Sequence, residues 1–431
     1  MRDTSNAVNF SQIPQLDHVR RDLDKMEMPV ETPEWLNVSF MQKALRKSEG
    51  DDSIHVIDIF TKPATDKGDN YTSDMIRVTV EYSQDQAGRK VTKKKTVIVK
   101  ISPIAEGIRK DLITNSSLFI TEMLMMSDTL EKMNQLLKHP LSAKCLYIQK
   151  QDPQLLVIED LAPLGFRMAD REAGLDLAHC TLALRGLAKF HASSVALCEK
   201  EPSQKDMDRK GMFSPDHPEE LTKFFSLSLK SLAKEVTKWP ELDKKYSAKL
   251  DNFSKKIYKI GSKLSRQCDD DFNVINHGDF WVNNMLFKYS DGKPIDHIFV
   301  DFQLCSYTSP AIDLLYFLGT SPSMEIIENN KDVLLNEYLN TLSSTMKQLG
   351  CKTQPPTMEK LKKSLKERAA YEMIASFTIL PIVLCKKADV KGFDEIMSKD
   401  GSYDNPGFQG KIFKKIMLKR IPLYDEQGLL D

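Results

Sequence analysis

Four residues in one short segment could do chemistry together. Within Val274-Ile-Asn-His-Gly-Asp-Phe-Trp-Val-Asn-Asn-Met-Leu-Phe-Lys-Tyr289, His277, Gly278, Asp279 and Asn284 form the pattern H-G-D-x-x-x-x-N. Downstream, Ile298-Phe-Val-Asp-Phe-Gln303 reads as an apolar strand ending in an acid, Asp301. Phosphoryl transfer asks for such a set. A carboxylate orients and deprotonates the attacking hydroxyl, two oxygen ligands hold magnesium against the phosphates, and a cation fixes those phosphates in line. Asp279 is the candidate base, and Asn284 and Asp301 are the candidate magnesium ligands. The short spacing lets one loop present Asp279 and Asn284 to the same phosphate. His277 reads as an organiser of that loop, not as a base.

The cation is sought on an upstream strand. Lys100 ends Val97-Ile-Val-Lys100 and sits among Val97, Val99, Ile101 and Pro103, whereas Lys93, Lys94 and Lys95 just before it read as solvated. A charge in apolar company needs a partner. Glu122, in Leu118-Phe-Ile-Thr-Glu122 on the helix that follows, is the candidate. The same arrangement, with H-R-D in place of H-G-D and the lysine in a V-A-I-K strand, defines the protein-kinase-like catalytic core.

Elements able to position these groups can be read from periodicity. Trp35, Leu36, Phe40, Met41 and Leu45 recur at helical spacing. Ile54 to Phe60, Met75 to Tyr82 and Thr96 to Ile101 carry the alternation and β-branched content of half-buried strands, with the charged run Gly88 to Lys95 as a hairpin turn. Residues 116 to 137 return to a helix, its methionines read as core filler. Strands follow at Cys145 to Ile148 and Leu155 to Ile158, and then Glu159-Asp-Leu-Ala-Pro-Leu-Gly165 has the look of a linker. Beyond it the chain is mainly helical, over about 173–195, 218–265 and 310–420, interrupted by short strands between 272 and 304. The expected architecture is α+β and two-lobed. It comprises an N-terminal extension (1–32), a small antiparallel-sheet lobe with one helix (33–158), a hinge (159–166) and a larger helical lobe (167–431).

Composition narrows the class. At 431 residues the chain exceeds one compact core. Lysine plus arginine equals aspartate plus glutamate, 61 each, so nothing in the overall charge points to nucleic acid or an anionic membrane. The seven cysteines are scattered, with no C-x-x-C pair, which argues against a zinc site and for a reducing compartment. The start of the chain has no apolar signal-peptide core, and the longest apolar stretch, Met373 to Cys385, is too short to span a bilayer. The expectation is a cytoplasmic protein with no membrane or nucleic-acid partner.

At a finer level His277-Gly-Asp-Phe-Trp-Val-Asn-Asn284, Val300-Asp-Phe-Gln303 and Leu187-Ala-Lys-Phe-His-Ala192 resemble the ecdysteroid kinase-like (CHK kinase-like) family, related to the aminoglycoside and choline phosphotransferases. The resemblance runs from about residue 33 to 420. It implies a protein-kinase-like fold, ATP and Mg2+ as cofactors, and a small hydroxylated, largely apolar acceptor such as an ecdysteroid, another steroid-like molecule or a foreign compound. It further implies that Lys67-Gly-Asp-Asn-Tyr-Thr-Ser73 covers the phosphates through Gly68, Asn70 and Ser73. Glu159, Asp160 and Leu161 become the adenine-binding hinge, and Asp313 supports the catalytic loop from the next helix.

Three other readings compete. Only eleven residues separate Asp301 from Asp313, with no A-P-E and no D-F-G, which leaves little room for the peptide-binding segment of a protein kinase. A catalytically dead kinase-fold binding protein is disfavoured because Lys100, Asp279, Asn284 and Asp301 are all present. A choline or aminoglycoside acceptor stays open, since acceptor choice lies in the helical lobe.

Overall fold

The computed structural model describes residues 32–65, 71–268, 271–397 and 402–431. A helix, α1 (Val38–Glu49), opens the small lobe, its first turn capped by the Asn37 side chain and its end turned by Gly50 at φ +63°. Strands β1 (His55–Pro63), β2 (Asp74–Gln86) and β3 (Arg89–Ile101) follow. The charged run expected as a turn is instead strand. Ala87 and Gly88, both at positive φ, make the turn, and Arg89 to Lys95 continue the ladder as an exposed ribbon. A two-residue turn of this hand matches the strand twist, so the lysines can alternate into solvent without breaking the pairing.

After α2 (Ile108–Asn115) comes a long helical segment: α3 (Leu118–Leu124), a π turn (Met125–Thr129) and α4 (Leu130–Leu137). Strands β4 (Cys145–Gln149) and β5 (Leu155–Glu159) complete an antiparallel sheet in the order β1-β2-β3-β5-β4. Alternation splits this sheet between two environments. Ile76, Val78, Val80, Val97, Val99, Leu155 and Val157 face an outer core shared with Leu36, Met41 and Leu45 of the α1 region. Met75, Arg77, Ile98 and Lys100 face inward and line a cleft.

The large lobe holds β6 (Phe166–Met168) and α5 (Leu177–Lys200), then α6 (Glu219–Val236), α7 (Lys245–Ser254) and α8 (Ile257–Leu264). The chain then forms β7 (Val274–Asn276), β8 (Met285–Ser290), β9 (Lys293–Phe299) and β10 (Ser306–Thr308). Helices α9 (Ala311–Thr320), α10 (Met324–Leu349), α11 (Met358–Glu367), α12 (Ala369–Thr378) and α13 (Lys411–Glu426) close it. Strands β6, β8 and β9 form one small sheet, and β7 with β10 another, so the catalytic segment is held between short ladders. The order of sheet, linker and helical lobe is the two-lobed, kinase-like α+β architecture.

One large core unites the helices. Leu118, Phe119, Met123, Met126, Leu130 and Met133 of the segment across α3 and α4 bury into the same apolar cluster as Leu187 and Phe190 of α5. Polar ties reinforce that junction. Thr129 donates to Gln204 (2.9 Å), Gln204 donates to Asp128 (2.8 Å), and Arg209 donates to Thr129 (2.9 Å). Among the described residues no helix is long and apolar enough to cross a membrane. Phe190 is fully buried, with its ring 5.5 Å from Phe299 and 6.2 Å from Phe302, beside the end of β9. Phe190→Ala should therefore lower unfolding free energy by about 3–5 kcal/mol, measured as a fall in the urea midpoint.

Candidate active site

Between β7 and β8 the chain makes a tight loop, and one buried carboxylate sets its shape. Asp313, in the first turn of α9, accepts the backbone N–H of His277 (2.7 Å) and of Gly278 (2.8 Å), and His191 of α5 lies 3.0 Å away. Tyr338 of α10 holds the other ring nitrogen of His191 at 2.8 Å. The family motif around Leu187 to Ala192 thus has a physical role: it delivers the histidine that orients Asp313. The His277 ring is buried, which pushes its pKa below the ordinary value and keeps it neutral. Its Nε2 is 3.1 Å from the Val300 carbonyl and its Nδ1 accepts the Asp279 N–H at 3.4 Å, a pattern that selects the Nε2-protonated tautomer. His277 joins the catalytic loop to the strand end that carries Asp301.

Gly278 explains why this loop reads H-G-D. Its φ is +80°, and a Cβ there would lie 1.7 Å from the Leu304 carbonyl oxygen. The segment after Asp301 is therefore folded directly onto the loop, leaving no room for a side chain.

Asp279 is held from both sides. Tyr316 of α9 donates to one carboxylate oxygen at 2.6 Å, and the Asn284 amide nitrogen donates to the other at 2.8 Å and to the Asp279 carbonyl at 2.9 Å. Burial pushes the Asp279 carboxyl up to about 7, against the pull of these hydrogen bonds. Burial and the neighbouring Asp279 raise the Tyr316 hydroxyl well above its usual range, so it stays a donor. With its nitrogen turned to Asp279, Asn284 has its amide oxygen left to offer a cation.

Across the cleft, Lys100 donates to Glu122 at 2.8 Å and to Asp301 at 2.9 Å. Burial works against the ammonium, but the two carboxylates outweigh it, and its pKa ends above the ordinary value. Gln303 donates to Glu122 at 3.1 Å, tying the helix glutamate to the Asp301 segment. Asp301 itself adopts φ +66°, a conformation that non-glycine residues take rarely and that clusters at functional sites.

Lys100, Glu122, Asn284 and Asp301 line a cleft cavity of about 290 Å³ whose far wall is Ile158 to Ala162, including Glu159, Asp160 and Leu161. Asp160 is engaged: Arg77 donates to it through Nε (2.8 Å) and Nη2 (3.3 Å), and it accepts the Ala162 N–H at 3.2 Å. Glu159 accepts the Lys144 N–H at 3.3 Å. Ser73 is buried just before β2, and Ala64, Thr65 and Met75 line the cavity. Gly68 and Asn70 lie outside the described residues.

The donor set can be tested against magnesium. Among the described residues no group of three or more His, Cys, Asp or Glu forms a metal cage. One amide oxygen and one carboxylate facing a single cavity is instead what magnesium takes when substrate phosphates and water complete its octahedron. The residues fit the ion. They also fit a charge argument, since one ammonium faces the carboxylates of Glu122 and Asp301.

A model of the ecdysteroid kinase-like family matches residues 67–351. The chain belongs to that family. No curated protein matches. Among solved structures, an ethanolamine kinase from Plasmodium vivax aligns at 11% identity and TM-score 0.44, over 97% of this chain and 99% of its own. An aminoglycoside 2'-phosphotransferase-IIIa variant in its GDP complex aligns at 11% and 0.42, over 91% and 100%. The Streptomyces rimosus aminoglycoside phosphotransferase bound to ADP and streptomycin aligns at 10% and 0.32, over 68% and 92%.

Sequence reading missed four groups that complete the site: His191, Gln303, Tyr316 and Arg77. His191 and Gln303 stood inside quoted motifs, but their partners lie more than a hundred residues away in the chain. For Gly278→Ala, left-handed strain of about 1–3 kcal/mol adds to a backbone overlap, so the expected result is a variant lost from the soluble fraction or melting far below wild type. A melting curve superimposable on wild type would contradict the loop geometry.

Proposed function

We propose that this chain transfers the γ-phosphate of ATP to a hydroxyl of a small, largely apolar acceptor, of which an ecdysteroid or a related steroid-like or foreign compound is the first to test. The observation that carries the reading is the shared cleft: Lys100, Asn284 and Asp301 line one cavity, backed by Glu159 to Leu161, and Asp279 is hydrogen-bonded to Asn284 at its edge. Family membership supports the acceptor class.

Each residue then has one task. Lys100, kept charged and aimed by Glu122, binds the ATP phosphates. Asn284 and Asp301 hold magnesium, which when bound neutralises the charge on the transferring phosphoryl group. Asp279 accepts the proton of the acceptor hydroxyl. Its carboxyl near 7 is matched to that exchange at neutral pH. Tyr316 and Asn284 fix the carboxylate so that no reorientation is needed when the acceptor arrives. Leu161 presents a backbone N–H with no acceptor among the described residues, suited to the edge of a purine.

The acceptor is identified by measuring ATP turnover with ecdysteroids, choline, aminoglycosides and plant-derived glycosides or phenols side by side. With the acceptor in hand, Asp279→Asn should reduce kcat by about a hundredfold to ten-thousandfold while KM for ATP stays within a few-fold. Near-normal turnover removes Asp279 from the mechanism. Asp301→Ala should abolish the magnesium-dependent tightening of ATP binding in titration calorimetry. If magnesium still tightens binding in that variant, the metal is held elsewhere.

A further inference from the structure

Inside the cleft, Arg77 is a cation that phosphate chemistry does not account for. Arg77 points inward from β2, between outward-facing Ile76 and Val78, and lines the cavity with a side chain 24% exposed. Strand register separates it from the phosphate end. Lys100 stands opposite Met75, whereas Arg77 stands opposite Ile98, two residues nearer the hinge. Two residues along a strand is about 7 Å. Its Nε and Nη2 are committed to Asp160, a hinge residue whose side chain is 3% exposed, and Asp160 is fixed in turn by the Ala162 N–H. The large lobe faces it across the cavity with Phe166, Met168, Leu286 and Phe299.

A paired arginine and aspartate in a mostly apolar slot is not favoured by stability alone, because packed apolar residues of the same volume do as well or better. A flat apolar ligand changes that balance. The guanidinium is planar, weakly hydrated and stacks on aromatic faces, and the Asp160 carboxylate holds its plane in one orientation.

Building on the proposed function, we propose that Arg77, held by Asp160, is a base-binding residue. Its guanidinium caps one face of the purine of ATP, opposite Leu286 and Met168, while the Leu161 N–H meets the purine edge. The pair serves the base and leaves the triphosphate to Lys100. Asp160 is then a positioning residue, acting through Arg77 and not on adenine directly.

The test is calorimetric titration of the full chain with magnesium-ATP and, separately, with magnesium inorganic triphosphate. Wild type is compared with Arg77→Met/Asp160→Asn, which removes both charges together and leaves no unpaired buried carboxylate, and with Arg77→Lys, which keeps an ion pair but not the planar fork. Melting curves accompany each variant. The expected result is ATP affinity weaker by about 3- to 30-fold in the double variant, triphosphate affinity unchanged, and little rescue by lysine. ATP binding at wild-type strength in a folded double variant overturns the assignment and makes the pair a structural pin. An equal loss for ATP and triphosphate also overturns it, because the pair then acts on the lobes as a whole. Should folded wild type bind neither ligand, the nucleotide reading itself fails, an outcome separate from both others.

Discussion

One ammonium group joins the two halves of this molecule. Lys100 is carried by the small-lobe sheet, and its two carboxylate partners belong elsewhere: Glu122 on a helix packed into the large-lobe core, Asp301 two residues past the end of β9. The Lys100 and Glu122 side chains are each 4% exposed, so the pair is out of water and strongly interdependent. Removing one member of such a pair costs about 3–5 kcal/mol, mostly through the charge left behind. The cleft is therefore spanned by an interaction that is costly to break.

That contact depends on what holds the carboxylates. Glu122 precedes a π turn whose Thr129 and Asp128 are fastened to Gln204, and Arg209 closes the network. A helix so fastened to the large lobe does not swing as a separate element with the sheet. Asp301 is placed through His277, which reads the Val300 carbonyl, and His277 is placed through Asp313, whose carboxylate is shared by two backbone amides and His191. The chain of support runs from Tyr338 on α10 through His191, Asp313 and His277 to the Val300 carbonyl beside Asp301. Preorganisation of this kind places the rate advantage in positions fixed before substrate arrives.

Much of this was legible because phosphoryl transfer restricts both residue type and spacing. Asp279 and Asn284 are five residues apart on one loop, so a pattern in the sequence is also a pattern in space. Lys100 stood out because it sits among Val97, Val99, Ile101 and Pro103, where a charge needs a partner. Contacts that cross the whole fold left no such trace. Gln303 meets Glu122 and His191 meets Asp313 only after the large core has formed. Tyr316 reads as one more aromatic on an apolar helix, and Arg77 as one more half-exposed strand residue. The run Arg89 to Lys95 misled in the opposite sense, since charge density suggests a turn, whereas backbone pairing needs only Ala87 and Gly88 to reverse the chain.

The stretch from Asp301 to α9 is packed directly onto the loop that carries Asp279. It makes no excursion from the lobe. The Leu304 carbonyl lies against Gly278, Ser306–Thr308 pair with Val274–Asn276, and Gly211 is packed so closely on Ser306 that a Cβ would come within 2.9 Å of it. This stretch thus pins the loop at Gly278, and the next residue, Asp279, is fixed by Tyr316 and Asn284, so the orientation of its carboxylate is set from within the large lobe.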